Sequence, residues 1–226
     1  MLVAVSPGET ARETNGKQKM YLDTPLETYL NDLASGQSTP GGGSASALTG
    51  ALAASLASMV ARLTLSKVEY AAVHAEIETI LAGTERLRVR FGQLMQEDID
   101  AYGRLSACFK MPRATAEERT ARTQAIQARL VEAALVPLEI AESAAQLVVL
   151  CQRIAEIGNT NVLSDIATGA TLAASAGNAA SWMVRTNLHA MKDHARIAQM
   201  DVRLTTALNA LEAGRQRVID MIGERA

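Results

Sequence analysis

The chain has 226 residues, 48% of them hydrophobic and 20% charged, a formal net charge of −2 at pH 7 and only 3% aromatics. With no basic surplus it offers no footprint for a nucleic-acid backbone. A core this short of aromatics must be filled by Ala, Leu, Val, Ile and Met, which favours helices over sheets. Cys108 and Cys151 are isolated, without metal-ligand spacing or a disulfide framework, and Met1–Val5 lacks the basic start of a secretory signal, so a cytoplasmic location is expected.

Residues 1–20 are polar and aperiodic, which predicts a mobile N-terminal extension, with Met20 standing where an ordinary start would fall. Residues 21–226 read as a single helical domain. Thr24-Pro25-Leu26-Glu27 opens a short helix, with Thr24 as its cap, that runs to about Ala34.

Ser38-Thr39-Pro40-Gly41-Gly42-Gly43-Ser44 then leads into an Ala-rich segment. The three glycines can take up backbone angles closed to other residues, and Ser44 is expected to cap the helix that follows, ending near Leu65. A glycine loop at a helix N-terminus presents amide donors and the positive end of the dipole to a carboxylate or phosphate. Neither a Gly-Lys-Ser/Thr ending nor a spaced dinucleotide fingerprint is present, and a flexible turn before a capped helix is the plain alternative. From Ser38 to Ala61 there is no charged residue. The length suits a bilayer, but the Gly, Ser, Thr, Pro and Ala content gives little drive for insertion, so a buried helix and no membrane partner are expected.

A third helical stretch spans about Lys67 to Phe109, bent or divided at Gly83 or Gly92, with Met111-Pro112 closing it. Thr115-Ala116-Glu117-Glu118 is a capping box for a helix reaching Gly158, which Pro137 is expected to kink. Asn159–Asp165 reads as a turn with a new cap at Asn161 or Ser164, before a fifth helix to about Lys192 whose first half is again small. Thr49–Ser55 resembles Thr168–Ser175, and two small-faced helices are expected to pair at the centre. A last amphipathic helix runs from about Ala195 to Ile222, and no segment reads as a strand. The fold class is therefore all-α: a multi-helix bundle with long, partly kinked helices around a central pair rich in small residues.

Five features now stand in order: Pro40-Gly41-Gly42-Gly43-Ser44 with Met59-Val60-Ala61-Arg62-Leu63-Thr64 after it; Glu97-Asp98; Val136-Pro137-Leu138; Gly158-Asn159 followed by Ser164-Asp165; and Arg185-Thr186-Asn187-Leu188. Together, over about residues 21–195, they resemble the cyclodeaminase/cyclohydrolase family of helical folate enzymes. That family includes the C-terminal half of formiminotransferase-cyclodeaminase and the stand-alone methenyltetrahydrofolate cyclohydrolases. The resemblance implies a homodimer with ligand sites at or near the interface, and tetrahydrofolate chemistry with no metal and no other cofactor. Nothing in the chain reads as the α/β formiminotransferase domains, so the cyclohydrolase is the first reading and the cyclodeaminase its alternative. A non-catalytic helical dimer that keeps only the scaffold is the third.

On this resemblance Asp98 is the expected general base, with Tyr102 one turn along the same face; the plain alternative is that Asp98 and Asp100 are solvated helix charges. Asp165 is the second candidate acid, though a carboxylate in a first helical turn is favoured by the dipole alone. Gly41, Gly42, Gly43 and Ser44 would meet the substrate. Asn159 and Ser164 would bond the pterin edge, or else end one helix and cap the next. Arg62 would touch ligand, or else answer a helix C-terminus. Arg185, His189 and Lys192 recur at helical spacing as a basic stripe suited to the glutamate tail of folate, or as a solvated face. His74, His189 and His194 form no metal set, Ser44 and Ser164 have no histidine arranged to make a nucleophile, and Trp182 with Met183 is expected to fill a core or a dimer seam.

Overall fold

The computed structural model describes residues 20–225; the expected extension at residues 1–20 lies, except for Met20, outside them. Six helices follow in order: α1 (Leu26–Leu33), α2 (Gly42–Leu65), α3 (His74–Phe109), α4 (Ala116–Ile157), α5 (Leu163–Ala190) and α6 (His194–Arg225). Short 3-10 turns at Tyr21–Asp23, Val68–Val73 and Thr160–Val162 complete the order, with no strand among the described residues.

The small residues of α2 are spent on close approach. Gly50 leaves room for the ring of Phe91 from α3, where any Cβ would collide with it, and Gly169 of α5 lies against the Ala53 carbonyl of α2. The expected pairing of the two small-residue helices is therefore present, with α3 on the other flank of α2 and α4 behind. Ser58 donates to Thr84 across the α2–α3 seam at 2.8 Å, so the buried hydroxyls there are satisfied. On the far side, Gly177 and Gly214 make space for Leu211 and Val148, seating α6 against α5 and α4. Ion pairs tie the outer helices: Arg90 of α3 to Glu139 of α4 at 2.6 Å, and Arg203 of α6 to Glu142 of α4 at 2.8 Å.

Several local expectations are corrected. Pro25, not Thr24, occupies the cap of α1, and the Thr24 hydroxyl donates instead to the Tyr21 carbonyl at 2.8 Å. The stretch before Phe109 is one helix of 36 residues, unbroken at Gly83 or Gly92. Those glycines are packing positions, where a Cβ would crowd Leu150 and Leu22 respectively. The Thr115–Glu118 capping box forms as expected, and α4 runs on through Pro137 as one helix of 42 residues. Asn159 caps the 3-10 turn by accepting from the Asn161 N–H at 3.0 Å, whereas α5 itself has Val162 at its N-cap and no side-chain cap.

Candidate active site

The glycine loop meets the middle of α3 in a cleft of about 220 Å³ walled by Ser38, Thr39, Gly41, Gly42, Gly43, Asp98, Tyr102, Ala133, Met183, Thr186 and Asn187. At its floor Gly41 takes the N-cap of α2 and Ser44 the third helical position, so Ser44 closes the cap from inside the helix instead of starting it. Its hydroxyl accepts from the Gly41 N–H at 3.2 Å and donates to the Gly41 carbonyl at 2.9 Å. With that single hydrogen used, Tyr29 of α1, 3.1 Å away, donates to the Ser44 oxygen and locks the loop from below.

The first anion received by this helix start belongs to the chain itself. Asp98 accepts a hydrogen bond from the Ser44 backbone N–H, and its carboxylate fills the space where a Cβ on Gly43 would lie. Burial pushes the Asp98 carboxyl up from the ordinary value of 3.8 to about 6, and the Ser44 amide only partly offsets this. A carboxylate with that affinity for protons, set in a cleft wall, can take a proton from water near neutral pH and return it. Its neighbour Glu97 turns the other way, into a bidentate pair with Arg90 at 2.6 and 3.0 Å. Tyr102 stands one turn beyond Asp98 at the mouth of the cleft, 40% exposed.

Of the candidate catalytic and binding residues, Gly41, Gly42, Gly43, Ser44, Asp98 and Tyr102 meet here, and Arg62, Asn159, Ser164, Asp165, Arg185 and Lys192 lie elsewhere. Asn159 is buried at the opposite end of α2, where its N–H donates to Thr64 at 3.0 Å and its carboxamide reaches the Leu63 carbonyl at 3.5 Å. Ser164 and Asp165 follow it in the first turn of α5, exposed and half-buried respectively. Arg62 sits at the same end, 3.5 Å from Glu85. The span from these groups to the glycine loop is the length of α2, about 36 Å by helical rise.

Arg185 lies over the exposed ring of Trp182 at 5.5 Å, off the cleft, and Lys192 follows the end of α5, so the basic residues do not make one helical stripe. Trp182 is 64% exposed, so it fills no core within the chain. The α5 wall is made by Met183, Thr186 and Asn187, at i, i+3 and i+4 on one face; Thr186 and Asn187 stand in the Arg185–Leu188 feature without a site role assigned from sequence, and Met183, expected in a core or a dimer seam, lines the cleft. That spacing was readable, but attention to charge led to Arg185, which projects from a different face.

A larger groove of about 820 Å³ runs between α3, α4 and α6. None of the candidate catalytic or binding residues lines it, and its Arg90, Glu139, Glu142 and Arg203 are already paired with one another or with Glu97. The chemistry is concentrated in the smaller cleft.

Residues 25–206 match the family described as formiminotransferase-cyclodeaminase. The methenyltetrahydrofolate cyclohydrolase of Methylorubrum extorquens is 37% identical over 171 residues, covering 75% of this chain and 82% of that protein. The formimidoyltransferase-cyclodeaminase of Rattus norvegicus is 31% identical over 79% of this chain, which spans only 33% of the rat protein's length. In three dimensions the formiminotetrahydrofolate cyclodeaminase of Thermotoga maritima superposes with a TM-score of 0.82 at 28% identity, covering 90% of this chain and 98% of that one. With a helical fold in common and a family match over most of its length, the chain belongs to the formiminotransferase-cyclodeaminase family.

Proposed function

We infer that the chain hydrolyses 5,10-methenyltetrahydrofolate to 10-formyltetrahydrofolate. The observation that carries this reading is Asp98, a half-buried carboxylate with its proton affinity raised to about 6, held at the wall of a cleft by the start of α2. The similarity to a methenyltetrahydrofolate cyclohydrolase over 82% of that enzyme's length supports it.

The substrate carries a cationic amidinium carbon bridging two nitrogens. Ionised Asp98 opposes that positive charge and takes a proton from water as the water oxygen bonds to the bridge carbon, giving a neutral carbinolamine. Protonated Asp98 then supplies the proton to N5 as the carbon–N5 bond breaks, and the carbinol hydroxyl loses its own proton to become the formyl carbonyl on N10. One proton is released to solvent over the cycle, and no cofactor is required. The test is the decay of methenyltetrahydrofolate absorbance with purified protein beside an Asp98→Asn control. Acceleration lost in the variant is the expected result. No acceleration by the wild type overturns the reading, and ammonia release from 5-formiminotetrahydrofolate then tests for a cyclodeaminase.

We further propose that the active form is a homodimer joined through α2 and α5. The outer stripe of α2 exposes Leu52, Met59 and Leu63, and that of α5 exposes Trp182, while Ile166–Val184 of α5 carries no charge. An uncharged face is complementary to itself, as a two-fold interface demands. Two helices wide and about 36 Å long, it offers on the order of 700 Å² per copy, near the ~800 Å² per partner of a stable interface. The helices run antiparallel, so packing each against its own copy in the antiparallel sense would carry one protomer's Ser164 and Asp165 towards its partner's glycine loop. That arrangement extends a cleft of 220 Å³, below the roughly 300–1,000 Å³ of ordinary ligand pockets, over the rest of a folate.

A further inference from the structure

In a helix the carbonyl of residue i accepts from the N–H of residue i+4, and for Ala133 that residue is Pro137, which has no N–H. The Ala133 carbonyl is thus unmasked at the wall of the cleft. Asn187 of α5 answers it: its Nδ2 donates to the Ala133 carbonyl at 2.8 Å and to the Met183 carbonyl of its own helix at 2.9 Å. Two carbonyls permit one orientation of the carboxamide, because the opposite one would set oxygen against oxygen. Both N–H donors are then used. The Oδ1 atom meets no donor among the described residues, and Asn187 lines the same cleft as Asp98.

We propose that Asn187 is a specificity residue whose Oδ1 accepts a hydrogen bond from the exocyclic 2-amino group of the bound pterin, with Pro137 as the positioning residue that fixes its orientation. The proposal rests on the folate reading above. It follows from the chemistry of the two cleft walls: an ionised carboxylate faces the reacting bridge, and a neutral, acceptor-only group remains for a donor elsewhere on the ring. On the pterin the 2-amino group is the donor farthest from N5. A site built around a fixed acceptor discriminates against a ligand lacking the matching donor, because the acceptor loses water without gaining a partner.

The experiment compares calorimetric binding of 5-formyltetrahydrofolate and of its 2-desamino-2-methyl analogue to the full-length protein. Wild type is expected to prefer the parent by about 10- to 100-fold. In Asn187→Ser, whose hydroxyl can still bond the Met183 carbonyl but is too short to reach across, the preference should fall to within about threefold. Pro137→Ala gives residue 137 an N–H for Ala133 and competes with Asn187; it should weaken the preference while the melting temperature holds or rises. Full discrimination in Asn187→Ser, or none in a wild type that binds both ligands, overturns the proposal and leaves the folate reading standing. A wild type that binds neither ligand removes both.

Discussion

The carboxylate of Asp98 occupies the space that a side chain on Gly43 would fill: a Cβ built there lands inside the contact radius of both carboxylate oxygens. The glycine is required for approach and not for its backbone angle, since no residue described here has a positive φ. Gly43→Ala is therefore expected to expel the carboxylate from the helix start while leaving a residue that α2 accepts readily. Methenyltetrahydrofolate hydrolysis should drop by about 100-fold or more, the usual cost of misplacing a reacting group by an ångström. The helical circular dichroism should be unchanged.

Asp98 also sets the pH dependence. A base must be ionised to take a proton from water, and burial holds this carboxyl near 6. The rate constant kcat/KM, corrected for spontaneous hydrolysis, is expected to rise as pH increases through about 6 and to level above it. A profile flat from pH 5 to 7 would remove Asp98 from the role of base in the free enzyme.

The same burial acts on stability with a definite sign. Unfolded, Asp98 releases its proton near 3.8; folded, it does so near 6. Between those values the folded state binds more protons, so this group's contribution to stability falls as pH rises from about 4 to about 6 and stays low above that. Asp98→Asn removes the titration and retains an acceptor for the Ser44 N–H. The variant should be inactive yet more stable than wild type at pH 7, by on the order of 1–3 kcal/mol, with the gain vanishing near pH 4. Paired urea titrations at the two pH values measure it.

The order of helices was legible in the sequence because each carries its own punctuation: Thr115 with Glu118, the glycine loop, and the turn at Asn159. Cap identity was less so, because Ser44 and Thr24 have hydroxyls that serve neighbouring positions equally well once the chain folds back. Gly83 and Gly92 illustrate a second limit. A glycine read as a breaker is a contact surface when Leu150 or Leu22 lies over it, and nothing local announces the partner. The Asp98 position was found through resemblance; its setting against Gly43 depends on two helices meeting more than 50 residues apart. Asn187 was visible within the Arg185–Leu188 feature, but its role was hidden for the same reason, since the group that orients it is a carbonyl exposed by a proline on another helix.

The separation of Asp165 from Asp98 within one chain leads to the sharpest test of the dimer. If Asp165 of the partner subunit completes each cleft, Asp98→Asn and Asp165→Asn homodimers are both defective. Unfolding and refolding them together in equal amounts gives about half heterodimers, each with one site carrying both changes and one carrying neither. Activity should therefore return to about a quarter of the wild-type value. A protein with both changes in the same chain, refolded alone, should show no return. Sites built wholly within one chain give no recovery from the mixture, which would confine the chemistry to the cleft around Asp98 and reduce Asp165 to a residue of the α5 first turn. A Leu52→Glu variant supplies the companion measurement, since a charge placed on the uncharged face should yield a monomer by light scattering. Its activity should fall in proportion to the dimer lost.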